Sequence, residues 1–170
     1  ADGVERHPHL HGHAAVDGAV RDANLNLRRV QGRDRGAVEM DAIDVVAADD
    51  VKDDTGFLTY PSKVPTAIAI GATKELRARD AEARVREMLA HGIYPIARIV
   101  VAKDPLLAER KPEWAIQSSA GGLWRDRRGT AWVDAFNDSV WVYAAQLAAE
   151  AIEMGFAEVQ FDYVRFPDEP

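Results

Sequence analysis

The last part of the chain carries the hydrophobic pattern of a β-strand. Residues 158–166, EVQFDYVRF, alternate bulky apolar side chains with Gln160 and Asp162. A period of two with aromatic and β-branched residues predicts a strand. Pro167 ends it, because proline cannot donate a hydrogen bond to the ladder. Asp162 should therefore lie late in a short strand, where an ionised carboxylate needs a partner or a function.

Two further segments predict strands. Residues 92–102, GIYPIARIVVA, form a continuous apolar run, which is typical of a strand that is buried on both faces. Residues 40–54, MDAIDVVAADDVKDD, predict a weaker strand that begins near Ile43 and is interrupted by acidic residues.

Helical periodicity lies between these strands. Residues 80–91 offer Asp80 as an N-cap and place Val85, Met88 and Leu89 on one side, and residues 138–154 repeat the plan with a longer apolar stripe: Val140, Ala144, Leu147, Ala151 and Met154. A glycine follows each helix, at Gly92 and Gly155. Strands that alternate with helices predict βαβ units and a parallel sheet.

Long connections follow the first two strands, at residues 52–79 and 103–137. Both are several times longer than an ordinary connection between a strand and a helix. Parallel α/β proteins commonly carry their function on such segments, because the carboxyl ends of the strands meet at one edge of the sheet. We therefore expect the functional residues in these two connections and at the ends of the strands.

Composition narrows the possible functions. The 170 residues include 28 acidic and 21 basic side chains, a formal net charge of -7, which disfavours binding to a nucleic acid backbone. No segment approaches the roughly 18 consecutive apolar residues that indicate a membrane span. Cysteine is absent, so disulfides and thiolate chemistry are excluded.

The beginning of the chain differs from the rest. Residues 5–50 show no sustained periodicity, and we interpret residues 1–50 as an atypical N-terminal segment, disordered or altered by a frameshift. Four histidines alternate there by two and could bind Zn²⁺ or Ni²⁺, but the intervening proline and glycine disfavour a strand and no cysteine completes a site: His7, His9, His11 and His13. We predict no metal and no cofactor.

Four ordered motifs within residues 51–167 carry a resemblance to a known family. They are VKDDTGFLTYPSKVPTAIAIGA, GIYPIARIVVAKDPLLAERKPEWAI, GGLWRDRRGTAWVD and GFAEVQFDYVRFP. Together they resemble the putative glycoside hydrolase domain of bacterial proteins, an uncharacterised relative of the α-amylase-like barrels. The resemblance implies a (β/α)8 TIM barrel that hydrolyses glycosyl bonds, with catalytic carboxylates at the carboxyl ends of its strands. Relatives are often exported or anchored, which implies an extracellular or cell-envelope location.

The chain provides only part of such a barrel. A complete barrel needs about 250 residues, whereas residues 51–170 supply three to four βα units, so we interpret them as an incomplete N-terminal portion of the domain. Family members usually have a clean strand that leads into the Asp-Val-Lys-Asp-Asp motif. Here VVAADDVKDD interrupts that strand.

Three charged residues are candidates for catalysis in the barrel. Asp162 would face the lumen together with Gln160 and Val164, in the place where related barrels carry the nucleophile of a retaining glycosidase; the alternative is a structural carboxylate paired with an arginine. Arg98 interrupts a buried strand and either keeps a catalytic carboxylate ionised or forms a structural ion pair. Asp53 should share the rim with Asp162, where it tunes a neighbouring acid or only forms a turn.

Other residues at the rim are candidates for binding the sugar. Trp124 and Trp132 lie in a long connection, and their flat faces suit stacking on sugar rings, although core packing is the commoner role of tryptophan. The remaining candidates are charged residues that follow the predicted strands: Lys52, Asp54, Lys103, Asp104 and Arg165.

The sequence thus predicts a glycoside hydrolase that acts on a poly- or oligosaccharide through acid/base carboxylates. Such hydrolysis needs two carboxyl groups, about 5 Å apart when the configuration is retained. We expect the second on a later strand, and we expect this chain alone to be inactive. The alternative is a non-catalytic carbohydrate-binding barrel at the cell envelope. A sugar isomerase or lyase is a third interpretation, but it would need a metal or phosphate site that the sequence does not show.

Overall fold

A parallel sheet of three strands organises the protein. The computed structural model describes residues 45–168, and in this part the strands are β1 (Val45–Lys52), β2 (Ile93–Val100) and β3 (Glu158–Asp162). The strands are neighbours in chain order, and both pairings are parallel. The predicted α/β class and parallel sheet are therefore confirmed.

Four helices and one 3₁₀ turn connect the strands. They are α1 (Pro65–Ile70), α2 (Ala81–Ala90), α3 (Pro105–Arg110), the 3₁₀ turn Pro112–Trp114, and α4 (Asp138–Met154). The hydrophobic pattern predicts α2 and α4 to within a residue at each end. The two short helices lie inside the segments interpreted as long connections, and each begins with a proline, whose fixed φ suits the first helical turn.

The ends of α4 show why the sequence forms this helix. The side chain of Asn137 accepts a hydrogen bond from the N–H of Ser139 at 2.9 Å, which caps the helix. Gly155 ends the helix with a φ of 105°, a conformation that favours glycine. At α2 the predicted cap, Asp80, precedes the helix without making a side-chain capping bond.

The core lies between the sheet and α4. Helices α2 and α4 pack on β2, and α4 also contacts β3 and α2. Ile99 and Val101 meet the buried stripe of α4, which includes Val140, Ala144 and Leu147. Side chains on alternate positions of the strands therefore point to the opposite face of the sheet.

That opposite face carries charges in register. Asp50 of β1 pairs with Arg98 of β2, which in turn pairs with Gln160 of β3. Strand β1 continues through the acidic residues that we expected to interrupt it, because Asp50 is paired with Arg98 on this face and Asp49, on the other face, is exposed. The register then shifts between Asp50 and Lys52, so that Lys52 lies opposite Ile99 on the helix side.

Strand β1 also crosses residue 50, where the sequence places the border between the N-terminal segment and the domain. The histidine tract at residues 7–13 lies outside the described residues. Within residues 45–168, no helix is long and apolar enough to cross a membrane, and no group of three His, Asp or Glu side chains is arranged to hold a metal ion.

Candidate functional site

An arginine lies between two aspartates near the carboxyl ends of the strands. Arg98 donates to Oδ2 of Asp162 from Nε at 2.9 Å and also from Nη2. Its Nη1 donates to Oδ1 of Asp50 at 2.5 Å. The three residues come from three adjacent strands and share the face of the sheet opposite α4. One guanidinium thus fixes two carboxylates, and we call this group the Arg98 cluster.

The backbone after Asp162 adds a further hydrogen bond. Tyr163 has a φ of 52°, and within residues 45–168 it is the sole non-glycine residue with a positive φ. The N–H of Tyr163 donates to Oδ1 of Asp162, at 2.6 Å. A strained residue next to a candidate catalytic acid is typical of a functional site, where it fixes the geometry of the reactive group.

These contacts determine the charge of Asp162. Partial desolvation raises its pKa, but the hydrogen bonds from Arg98 and from the N–H of Tyr163 outweigh it, so the net pKa lies below the ordinary value. Hydrogen bonds to Asp50 and Asp162 raise the pKa of Arg98. Asp162 is therefore ionised at neutral pH, and it can act as a nucleophile or a base but not as a proton donor.

Several predicted sugar-binding residues meet beside Tyr163. Lys103 forms an ion pair with Asp54 at 2.6 Å, and its ammonium lies 5.2 Å from the centre of the Tyr163 ring. The guanidinium of Arg165 lies 5.5 Å from the same ring and 5.6 Å from the ring of Trp132. The structure thus brings four of the predicted residues together at one edge of the sheet.

The two tryptophans of the long connection pack against other residues of the protein and are not fully exposed to solvent. Trp132 is 4% exposed, and its Nε1 donates to Oδ2 of Asp126 at 3.0 Å. The edge of its ring contacts Tyr163, and Arg165 lies over its face. Trp124 is half-buried and packs against the core. No free face of Trp132 is left for a sugar ring, so packing describes it better than stacking.

Lys52 and Asp104 occupy a different place from the one expected for sugar-binding residues. They are 2% and 0% exposed, and Nζ of Lys52 lies 2.8 Å from Oδ2 of Asp104. Oδ2 of Asp104 lies at ion-pair distance from Lys52 but, within residues 45–168, accepts no hydrogen bond of good geometry. Oδ1 accepts a hydrogen bond from the N–H of Leu107 at 2.8 Å. Lys52 also donates to the carbonyl of Val100. The shifted register of β1 turns Lys52 toward α4, so the pair links two strand ends inside the core.

Gly56 closes over this buried pair. It has a φ of 90°, and a Cβ placed on it would lie 2.1 Å from Oδ1 of Asp104. The glycine in the Asp-Asp-Thr-Gly turn is therefore required by both the backbone conformation and the space.

Asp53, a candidate catalytic residue from the sequence, has partners of its own. Its carboxylate accepts hydrogen bonds from the N–H and hydroxyl of Thr55 and from Arg77. Desolvation raises the pKa of Asp53, but these bonds lower it by more, so the net pKa is below the ordinary value. The contacts match the turn interpretation, and they do not join Asp53 to the Arg98 cluster.

Two residues with clear contacts in the structure, one in the Arg98 cluster and one on α4, have no clear signal in the sequence. Asp50 stands among four acids within six residues, and only the register of β1 against β2 distinguishes it. Glu150, on α4, accepts from the Tyr60 hydroxyl at 2.5 Å, from Ser62, and from the N–H of Lys63 at 2.6 Å. It thereby fixes the segment after β1, across 87 to 90 positions of sequence.

Comparison with known proteins places the chain in a family. Residues 36–170 match the model of the family described as "Putative glycosyl hydrolase domain". The chain belongs to this family. The predicted resemblance is confirmed, and the family match begins at residue 36 rather than 51. The description of the family agrees in general terms with the predicted hydrolase class.

A solved structure shares the fold of this family member. It is the crystal structure of a hypothetical protein from Ruminiclostridium thermocellum ATCC 27405, with 33% identity and a TM-score of 0.68. The match covers 89% of this chain and 72% of that one. No curated protein matches the chain.

Proposed function

We propose that this domain hydrolyses glycosidic bonds of a poly- or oligosaccharide, with Asp162 as its ionised catalytic carboxylate. The observation that carries the proposal is the position of Asp162 at the end of β3, half-exposed and held by Arg98 at 2.9 Å. Its geometry is fixed before any substrate binds, which is what catalysis by a positioned group requires. The description of the family supports the same class of reaction.

We further propose that the sheet is part of a (β/α)8 barrel. Three parallel strands follow one another in chain order, and α2 and α4 connect them on one face. Repetition of this unit closes a barrel, in which the opposite face becomes the lumen. The Arg98 cluster would then lie in the lumen near the carboxyl ends of the strands, where barrel enzymes carry their reactive groups.

The mechanism follows from the charge of Asp162. Its carboxylate would attack the anomeric carbon, forming a glycosyl ester as the bond to the leaving oxygen breaks. A second carboxyl group, which we place on a later strand, would give its proton to that oxygen and then activate the water that hydrolyses the ester. Arg98 would hold the attacking oxygen in position, with Asp50 fixing the other side of the guanidinium.

The test is the release of reducing sugar from a panel of polysaccharides by the natural polypeptide that contains this chain. Asp162→Asn should lower kcat by about 10³-fold or more, because it removes the attacking group. Glu158→Gln is the matched control, since Glu158 is an exposed carboxylate on the same strand. Equal activity of the two variants, or no hydrolysis by the unaltered polypeptide, would contradict the proposal.

A further inference from the structure

An exposed pair of aromatic rings lies beside the residues that surround Tyr163. Phe136, in the turn before α4, is 84% exposed, and Phe166, after β3, is 39% exposed. The centres of their rings are 5.0 Å apart and the ring planes meet at 49°. The two rings thus form one tilted apolar surface from two separate segments of the chain.

The packing of residues 45–168 leaves both rings accessible to solvent. Burying a phenylalanine ring stabilises a fold through the apolar area that is removed from water. Phe136 leaves most of that area in water, and its contact with Phe166 covers only a small part of it. Two adjacent exposed rings form an apolar patch, and such patches commonly mark binding surfaces.

The turn that carries Phe136 is held in place by its neighbours. Oδ1 of Asp134 accepts from the N–H of Phe136 at 2.9 Å, and the N–H of Asp134 donates to the carbonyl of Trp114 at 2.8 Å. On the other side, Nε1 of Trp141 donates to the carbonyl of Ala135 at 2.9 Å. These hydrogen bonds fix the backbone of the turn that carries the Phe136 ring.

Phe166 is tied to the candidate site through Arg165. The guanidinium of Arg165 donates to the carbonyl of Phe166 at 3.1 Å and to Asp168 at 2.9 Å, and it lies over the rings of Trp132 and Tyr163. Phe166 follows Asp162 by four residues, so their Cα atoms lie within about 14 Å of each other by chain length alone. An oligosaccharide of a few sugar units is long enough to span that distance.

We infer that Phe136 and Phe166 form an aromatic subsite that binds a pyranose ring of the substrate. The apolar C–H face of the sugar would lie on the rings, and Arg165 and Asp168 at the border would bind its hydroxyl groups. The surface for sugar stacking would then be these two rings and not the ring of Trp132, which is covered. The inference rests on the proposed function, because it assumes that the ligand is a carbohydrate.

The experiment measures binding of cellohexaose, maltohexaose and chitohexaose to the natural polypeptide that contains this chain, by calorimetry. At least one hexasaccharide should bind, and Phe136→Ala should raise its Kd by about fivefold or more, since an aromatic contact is lost. Phe136→Trp keeps a flat ring and should retain the affinity. Ile68→Ala is the control, because Ile68 is 58% exposed on α1 and has no part in the subsite.

Three results would overturn the inference: no hexasaccharide binds, Phe136→Ala leaves the Kd unchanged, or Phe136→Ala instead converts a dimer to a monomer in sedimentation. The last result would identify a surface for self-association. The hydrolysis test separates this inference from the proposed function. If Asp162→Asn abolishes hydrolysis while Phe136→Ala leaves KM unchanged, the subsite is wrong and the function stands. If the sugar binds through Phe136 without hydrolysis, the subsite stands and the function is wrong.

Discussion

Arg98 and Asp162 are 64 positions apart in the chain, yet Nε of the arginine lies 2.9 Å from Oδ2 of the aspartate. The adjacent parallel strands β2 and β3 bring them together on one face of the sheet, next to Asp50 on β1. The arginine has two acidic partners, so its removal would leave two carboxylates close to each other with no cation between them.

Arg98→Met should raise the pKa of Asp162, because it removes the positive charge and leaves Asp50 as a like charge nearby. Adding Asp50→Asn to that variant should lower the pKa of Asp162 again. Carboxyl ¹³C NMR titrations of the three proteins measure both effects. If the pKa of Asp162 is the same in Arg98→Met as in the unaltered chain, the ion pair does not control its ionisation.

Stability should decrease in acid. The pKa of Asp53 and that of Asp162 are both lowered in the fold from the ordinary value of an aspartate, so each residue contributes stability that is present above its unfolded pKa. That stability is lost as the pH falls through the lowered folded pKa, because the unfolded chain then binds more protons than the folded one. Urea denaturation from about pH 6 down to about pH 3 should show this loss. Asp162→Asn should show a shallower dependence on pH, and an unchanged slope would exclude Asp162 as a contributor.

Breaking the buried ion pair should be costly. Asp104→Asn keeps an oxygen for the N–H of Leu107 but leaves the charge of Lys52 buried without an oppositely charged partner, which should lower the free energy of unfolding by roughly 3–5 kcal/mol. Adding Lys52→Met removes the unpaired charge and should restore part of the loss. Urea denaturation compares the variants. A double variant that is less stable than Asp104→Asn would contradict this account.

Gly56→Ala should destabilise the fold more than the same change at another glycine with positive φ. The added methyl group meets Asp104 at 2.1 Å, whereas a Cβ at Gly129, with a φ of 79°, meets nothing within 4 Å. We expect a cost of about 1 kcal/mol for Gly129→Ala from the backbone alone and roughly 2–4 kcal/mol for Gly56→Ala. Equal losses in thermal or urea denaturation would show that the close approach to Asp104 does not matter.

Glu150→Ala should release the segment that follows β1. The N–H of Lys63 donates to Glu150 at 2.6 Å, and the loss of a hydrogen bond to a charged acceptor should speed amide exchange at Lys63 by about tenfold. Glu153→Ala, one turn along the same helix and exposed, should leave that exchange rate unchanged. Similar rates in both variants would show that Glu150 does not hold the segment.

The sequence predicted the regular elements well where the pattern is local. The stripe of α4 and its terminal Gly155 predict the helix at Asp138–Met154, because periodicity and capping are local signals. The short helices α1 and α3 are missed, although the proline at the start of each is a helix-start signal. The acids of β1 mislead, because Asp49 is exposed and Asp50 is paired with Arg98, so neither carboxylate is buried without a partner.

The site was harder to predict, because contacts across strands depend on register. Arg98 and Asp162 were both candidates, and the structure brings them together, although their catalytic roles stay predictions. Asp50 was missed, since a single sequence does not show which residue lies opposite Arg98. Lys52 and Asp104 were expected at the rim, but the shift in register after Asp50 turns Lys52 into the core, where it meets the buried Asp104. A one-residue change of register moves a side chain to the other face of the sheet.

The turn at Tyr163 makes the charge on Asp162 partly independent of its neighbours in space. The N–H of the next residue, Tyr163, supplies one of the hydrogen bonds to the carboxylate of Asp162. This interaction is therefore local in sequence. If the segment from Gln160 to Tyr163 were grafted onto another parallel strand, it would carry that interaction with it, whereas the contribution of Arg98 would have to be rebuilt. A short stretch of sequence can thus encode a reactive group together with a part of its own environment.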